Sequence, residues 1–258
     1  MEKVLYDGSF IGLLTAIFEV YEYKLENPSI TRNEIVEGSL FGGTHTVYSD
    51  EIKAKRVLKG MEAKMSKTAM TQFYRCFLSE LPGMEDCLLR YAKYTIGSKY
   101  PVESDYGNPD VLRVQQVSWK VHREKHRMEA FVRFQLTKDN LYYSLIQPDY
   151  NVLPLIIKHF HERYADQRWM IYDVRRKYGI YYDLQTVEEV QLDFTKNVPG
   201  SDQHNTGYLD ETEPLVQQLW RQYFSSVNIS ERKNMKLHIR HMPKRYWRYL
   251  TEKNGHKQ

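Results

Sequence analysis

The sequence predicts an α+β protein with a helix-rich N-terminal half, an antiparallel or mixed sheet in the middle and a small basic helical module at the C-terminus. Three observations lead there. Amphipathic helical periodicity and capping residues crowd the first half. Aromatic and β-branched runs with short turns crowd the region after residue 130. Charge, rings and histidines concentrate beyond residue 213. Helices early and strands late argue against a regularly alternating, doubly wound sheet.

Taken in order, VLYD reads as a first strand, and Phe10, Leu13, Leu14, Ile17, Phe18 and Tyr21 recur at helical spacing up to a stop before Pro28. A second strand is expected within EIVEGSLFGGTHTVYS, with Gly42-Gly43 as its turn. Asp50 caps a helix running to Met65, and Ser66 caps the next, to Ser79. Pro82-Gly83 separates these from a helix bearing Met84, Leu88, Leu89 and Tyr91. Asn108-Pro109, a cap followed by a proline at the first helical position, opens a helix to His126.

FVRFQL and LYYSLI then read as a β-hairpin around Lys138-Asp139-Asn140. NVLPLIIKHFHERY is helical after Pro154, and WMIYDV, KYGIYYDL and VEEVQLDF are three further strands. Residues 197–212 are rich in Gly, Asn, Asp and Thr and read as a linker between a body (1–196) and a module (213–258). In that module the spacing predicts helices over Pro214–Ser226 and in the Glu231–His241 region. A third begins at Pro243 and places Tyr246, Trp247 and Leu250 on one face.

The whole chain carries a formal +4, whereas the stretch from Glu213 onward holds ten Lys/Arg against three Asp/Glu. All of the positive excess therefore sits in the last sixth of the protein. Basic residues interleaved with rings are the electrostatic footprint of a nucleic-acid binder, because cations displace phosphate counterions and flat rings stack on bases. Arg232, Lys236, Arg240, Lys244, Arg245 and Arg248 are the expected phosphate contacts, with Tyr246 or Trp247 as stacking candidates. Most rings of so small a module are expected in its own core.

Composition excludes several classes. No run approaches the ~20 apolar residues of a membrane span, and polar residues interrupt the N-terminal apolar stretch, so a cytoplasmic protein with no membrane association is expected. The only two cysteines, Cys76 and Cys87, read as inert buried thiols, too few to hold an iron–sulfur cluster. His122 and His126 stand four apart, but Arg123 occupies the place of the catalytic glutamate of a zinc-binding HExxH. No phosphate-cradling glycine loop and no G-x-S-x-G elbow is present. The expectation is neither a metal nor a cofactor.

The run WRQYFSSVNISERKNMKLHIRHMPKRYWRYLTE, with YDGSFIGLLTAIFEVYE, FLSELPGMEDCLLRYAKY, HRMEAFVRF and PDYNVLPLIIKHFHERYADQRWMIYDVRR upstream, resembles a bacterial family labelled as a DNA metabolism protein of unknown biochemical activity. Genes of that family typically neighbour one for a radical S-adenosylmethionine protein assigned to DNA modification or repair. A similar module is fused to uracil-DNA glycosylase-like proteins. The resemblance thus implies DNA and the radical S-adenosylmethionine protein as partners.

The pattern of that family around position 149 is Pro-Asp-His-Asn, whereas this chain has Pro148-Asp149-Tyr150-Asn151. The polar residues left for catalysis are His126, Arg133, Asp149, Asn151, His159 and Asp173. Asp173 with His126 or His159 would make a carboxylate-oriented general base. The plainer alternative has Asp149 and Asn151 bonding their own turn and Asp173 pairing with Arg175 or Arg176. Three functions follow: a DNA-binding accessory protein beside a radical-enzyme partner, a stand-alone glycosylase or nuclease, and a protein-only scaffold.

Overall fold

A computed structural model gives the fold and describes residues 2–32, 44–191, 239–250 and 253. The chain forms two compact units, Met1–His122 and Arg123–Gln258. The expected linker at 197–212, the helices expected at Pro214–Ser226 and over most of Glu231–His241, and the Gly42-Gly43 turn lie outside the described residues.

In the first unit, β1 (Glu2–Tyr6) lies between β2 (Pro28–Arg32) and β3 (Thr44–Thr46), and both pairings are parallel. Helix α1 (Phe10–Glu22) starts where the Ser9 hydroxyl accepts the Gly12 N–H, and it buries Leu13, Leu14, Ile17 and Val20. Asp50 accepts the N–H groups of Ile52 and Lys53 to start α2 (Glu51–Glu62), and Ser66 accepts that of Ala69 to start α3 (Lys67–Phe77). Each such cap contributes about 1 kcal/mol. Helix α4 (Met84–Gly97) follows Gly83, whose φ of +71° is the left-handed conformation that glycine adopts without cost.

Strand β2 was not expected, since PSITR has one buried apolar residue, Ile30, and opens on proline. It is held from outside its own sequence: Asp86 in the first turn of α4 accepts the Ile30 N–H at 2.7 Å and the Ser29 hydroxyl at 2.9 Å. Helix α5 (Pro109–Phe131) begins with Asn108 accepting the N–H groups of Asp110 and Val111. It runs past the expected stop at His126, helped by the Lys125–Glu129 ion pair one turn apart, so FVR closes the helix and only Gln135–Leu136 is strand.

The second unit carries a five-stranded mixed sheet in the order β4 (Gln135–Leu136), β5 (Tyr142–Ile146), β6 (Trp169–Asp173), β7 (Tyr178–Tyr182), β8 (Val187–Val190). Only β5 and β6 are parallel, with Ile146 level with Asp173, because α6 (Leu153–Arg163) crosses between them. Trp169 is the centre of this core, its ring 6.2 Å from Phe160 and 5.6 Å from Tyr182. Burying the neighbouring Phe160 side chain stabilises by about 1.5–3 kcal/mol.

The segment opened by Pro243 is a 3-10 turn, Lys244–Tyr249, and not an α-helix. At three residues per turn Tyr246 and Tyr249 eclipse, replacing the expected shared face of Tyr246, Trp247 and Leu250. Tyr246 and Leu250 are buried, and Trp247 is half-buried.

Candidate nucleic-acid interface

The parallel pair β5 and β6 carries one carboxylate at each carboxyl end, Asp149 in the loop after β5 and Asp173 as the last residue of β6, and ligands of open α/β sheets gather at the carboxyl ends of parallel strands. After β5 comes Gln147-Pro148-Asp149-Tyr150-Asn151, a loop held by hydrogen bonds at Gln147, Pro148, Asp149 and Asn151. Glu124 of α5 accepts the Asp149 N–H at 2.8 Å. Arg175 donates to the Asp149 carbonyl at 3.2 Å, and Arg176 donates to the carbonyls of Pro148 and Asp149. Asn151 accepts the hydroxyl of Tyr178.

Onto this loop the basic C-terminal segment is fastened. The Tyr246 hydroxyl donates to Glu124, whose carboxylate is almost wholly buried. Arg245 pairs with Asp149 at 2.6 Å and lies 3.5 Å from Glu124. Tyr249 donates to Gln147 at 2.8 Å, and Arg127 donates to the Arg240 carbonyl at 3.5 Å. Burial, reinforced by the Glu124 charge, pushes the Tyr246 phenol up, so it remains a donor at any physiological pH.

Arg240, Lys244, Arg245 and Arg248 of this segment are exposed, whereas of its rings Tyr246 is buried and Trp247 and Tyr249 are half-buried. The Arg245 guanidinium lies 4.4 Å over the ring of Tyr246, and that of Arg248 lies 4.7 Å over Tyr249. Lys244 and Lys253 both lie over Trp247, whose indole N–H is donated to Met242. Tyr246 is therefore not a stacking surface, a correction that follows from its burial against Glu124. Arg232 and Lys236 lie outside the described residues.

The catalytic candidates separate. Asp173 is fully buried and accepts from Arg176 Nη1 at 2.8 Å and from the backbone N–H groups of Arg175 and Arg176, which makes it the organiser of the β6–β7 turn. Burial raises its pKa, with Arg176 opposing. His126 and His159 do not meet it: their Nδ1 atoms lie 3.6 Å and 4.0 Å from Glu129. The carboxylate–histidine base is thus not assembled, and Asp173 instead pairs with Arg176, as in the plainer of the two readings of the sequence. Arg133 bonds the carbonyls of Ala130 and Val132 at the end of α5. Asn151 is engaged by Tyr178, so Asp149, with its side chain 48% exposed, is the carboxylate presented outward at this end of the sheet.

At position 150 burial raises the phenol pKa, Asp149 and Glu124 adding to the effect while Arg123 and Arg245 oppose it. The residue there is a neutral hydroxyl, where the pattern this chain resembles has a titratable imidazole. Sequence reasoning missed Glu124. Its signal is present: Val114, Val117, Val121, Glu124 and Met128 follow alternating three- and four-residue steps, a buried helical seam with one carboxylate in it.

Among the described residues no group of three or more His, Cys, Asp or Glu is placed to hold a metal ion, and no helix is long and apolar enough to cross a membrane. Cys76 and Cys87 are buried free thiols, and burial pushes Cys87 up to about 12.

Fold and site together define an α+β protein whose basic C-terminal segment is clamped at the carboxyl ends of a parallel strand pair. The chain belongs to the family described as Domain of unknown function (DUF4130), whose model matches residues 82–252. Comparisons with curated proteins and with solved structures find no match.

Proposed function

We propose that the protein is a DNA-binding accessory factor of DNA metabolism or repair, which presents nucleic acid to a radical S-adenosylmethionine partner that supplies the chemistry. The observation that carries the DNA-binding half is the exposure of Arg240, Lys244, Arg245 and Arg248 on a segment held in place by Glu124, Asp149 and Gln147. Fixed cations release phosphate counterions with little loss of side-chain entropy, which favours binding to a polyanion. The partner half rests on the family resemblance of the C-terminal sequence.

Fluorescence anisotropy with labelled oligonucleotides over a salt series tests the first half. Binding should weaken steeply with salt, and Lys244→Glu with Arg248→Glu should weaken it further; salt-insensitive or absent binding refutes the proposal. A pull-down with the radical enzyme, with and without DNA, tests the second half, and capture that ignores DNA would instead favour a protein-only scaffold.

One observation favours a second reading, that of a DNA-processing enzyme: Asp149 offers a half-exposed carboxylate beside Arg245. Turnover of lesion-bearing oligonucleotides by the purified protein alone would establish it.

A further inference from the structure

From the way its rings are used, we infer that the 3-10 turn Lys244–Tyr249 holds nucleic acid by the phosphate backbone and does not stack on bases. This rests on the DNA-binding reading above and specifies its ligand chemistry. Each ring of the 3-10 turn has its polar edge committed inside the protein: Tyr246 to Glu124, Trp247 to the Met242 carbonyl and Tyr249 to Gln147. Each also has a cation over it, Arg245 at 4.4 Å, Lys253 at 5.2 Å and Arg248 at 4.7 Å from the respective centroids.

A base stacking on the cation-bearing face of one of these rings must displace that cation. The rings act as internal supports: they orient guanidinium and ammonium groups outward and restrict their motion. Phosphates have the geometry that such outward donors match, and they repeat along any strand irrespective of sequence.

The test compares full-length protein bound to a single-stranded oligonucleotide of mixed sequence with protein bound to an abasic strand of equal length and equal phosphate number, at matched salt. A stacked base contributes roughly fivefold or more in affinity. The abasic strand should bind with a loss below that factor and with the same salt slope, and Lys244→Glu with Arg248→Glu should weaken both strands alike. An abasic strand weakened beyond roughly fivefold in the wild type but not in Trp247→Leu overturns the inference and leaves DNA binding standing, whereas a loss that persists in Trp247→Leu places the stacking on rings outside the turn and leaves the inference intact. If neither strand binds, the DNA-binding reading fails, and the inference falls with it.

Discussion

Tyr246 donates its hydroxyl to Glu124, 122 residues earlier in the chain, and this bond sets the C-terminal basic segment onto the second unit. The same carboxylate receives the Asp149 N–H and lies beside Arg127 and Arg245. A buried carboxylate supplied with this many donors is stable where it is, and removing it strands them.

Glu124→Ala should therefore destabilise the protein by about 3–5 kcal/mol, the range for breaking a buried charged network. Tyr246→Phe, which keeps the ring and loses only the hydroxyl, should cost about 1.5–3 kcal/mol. Urea denaturation measures both, and limited proteolysis after Ile239 should accelerate in each variant.

Asp149→Asn distinguishes the two functional readings. It releases Arg245 from its 2.6 Å ion pair, so DNA binding should tighten and the salt dependence should steepen by about one counterion. An enzyme that relied on Asp149 would instead lose turnover with its affinity little changed. Anisotropy and product analysis on the same samples report both.

Gly179→Ala should destabilise the sheet by about 1–3 kcal/mol. A Cβ built there meets the Ile171 carbonyl oxygen at 2.8 Å and the Tyr172 ring at 3.1 Å, so β7 would have to move off β6. Thermal unfolding reads the loss. An unchanged melting temperature would show that the strands part without cost.

Acid should weaken the first unit through Asp110. Bidentate hydrogen bonding from Arg90, at 2.9 Å and 2.7 Å, holds its pKa below the ordinary aspartate value. With the folded pKa depressed, the stabilisation is complete above the unfolded value of about 3.9 and is lost as pH falls through the folded one. Asp110→Asn should flatten stability against pH in that acid window and leave its slope near neutrality unchanged. Because the Arg90 side chain is more than half exposed, the effect should shrink further in high salt.

Much of the fold was legible because its determinants are local. Asp50, Ser66 and Asn108 each accept an N–H two or three residues ahead, so these helix starts could be read from short windows. The β6–β7 pair was equally plain from its aromatic runs. Strand β2 was not, because its ladder position depends on Asp86, 56 residues beyond Ile30. The basic residues of the site were visible as a charge anomaly, and Asp149 as a polar loop residue. Glu124 was hidden within a helix whose sequence shows only one acid in an apolar seam.

The sequence by itself thus determined the α+β class, the helix starts, the strand set of the second unit and the place of the positive charge. Tertiary structure alone decided that His159 lies beside Glu129, that Tyr246 faces inward, and that Arg245 meets Asp149, whereas Asp173 takes a partner three residues ahead, Arg176, that the sequence already offered. The physical reason is range. Caps and periodicity act within one turn of the chain, whereas a buried carboxylate selects its donors from whatever the completed fold brings within hydrogen-bond distance.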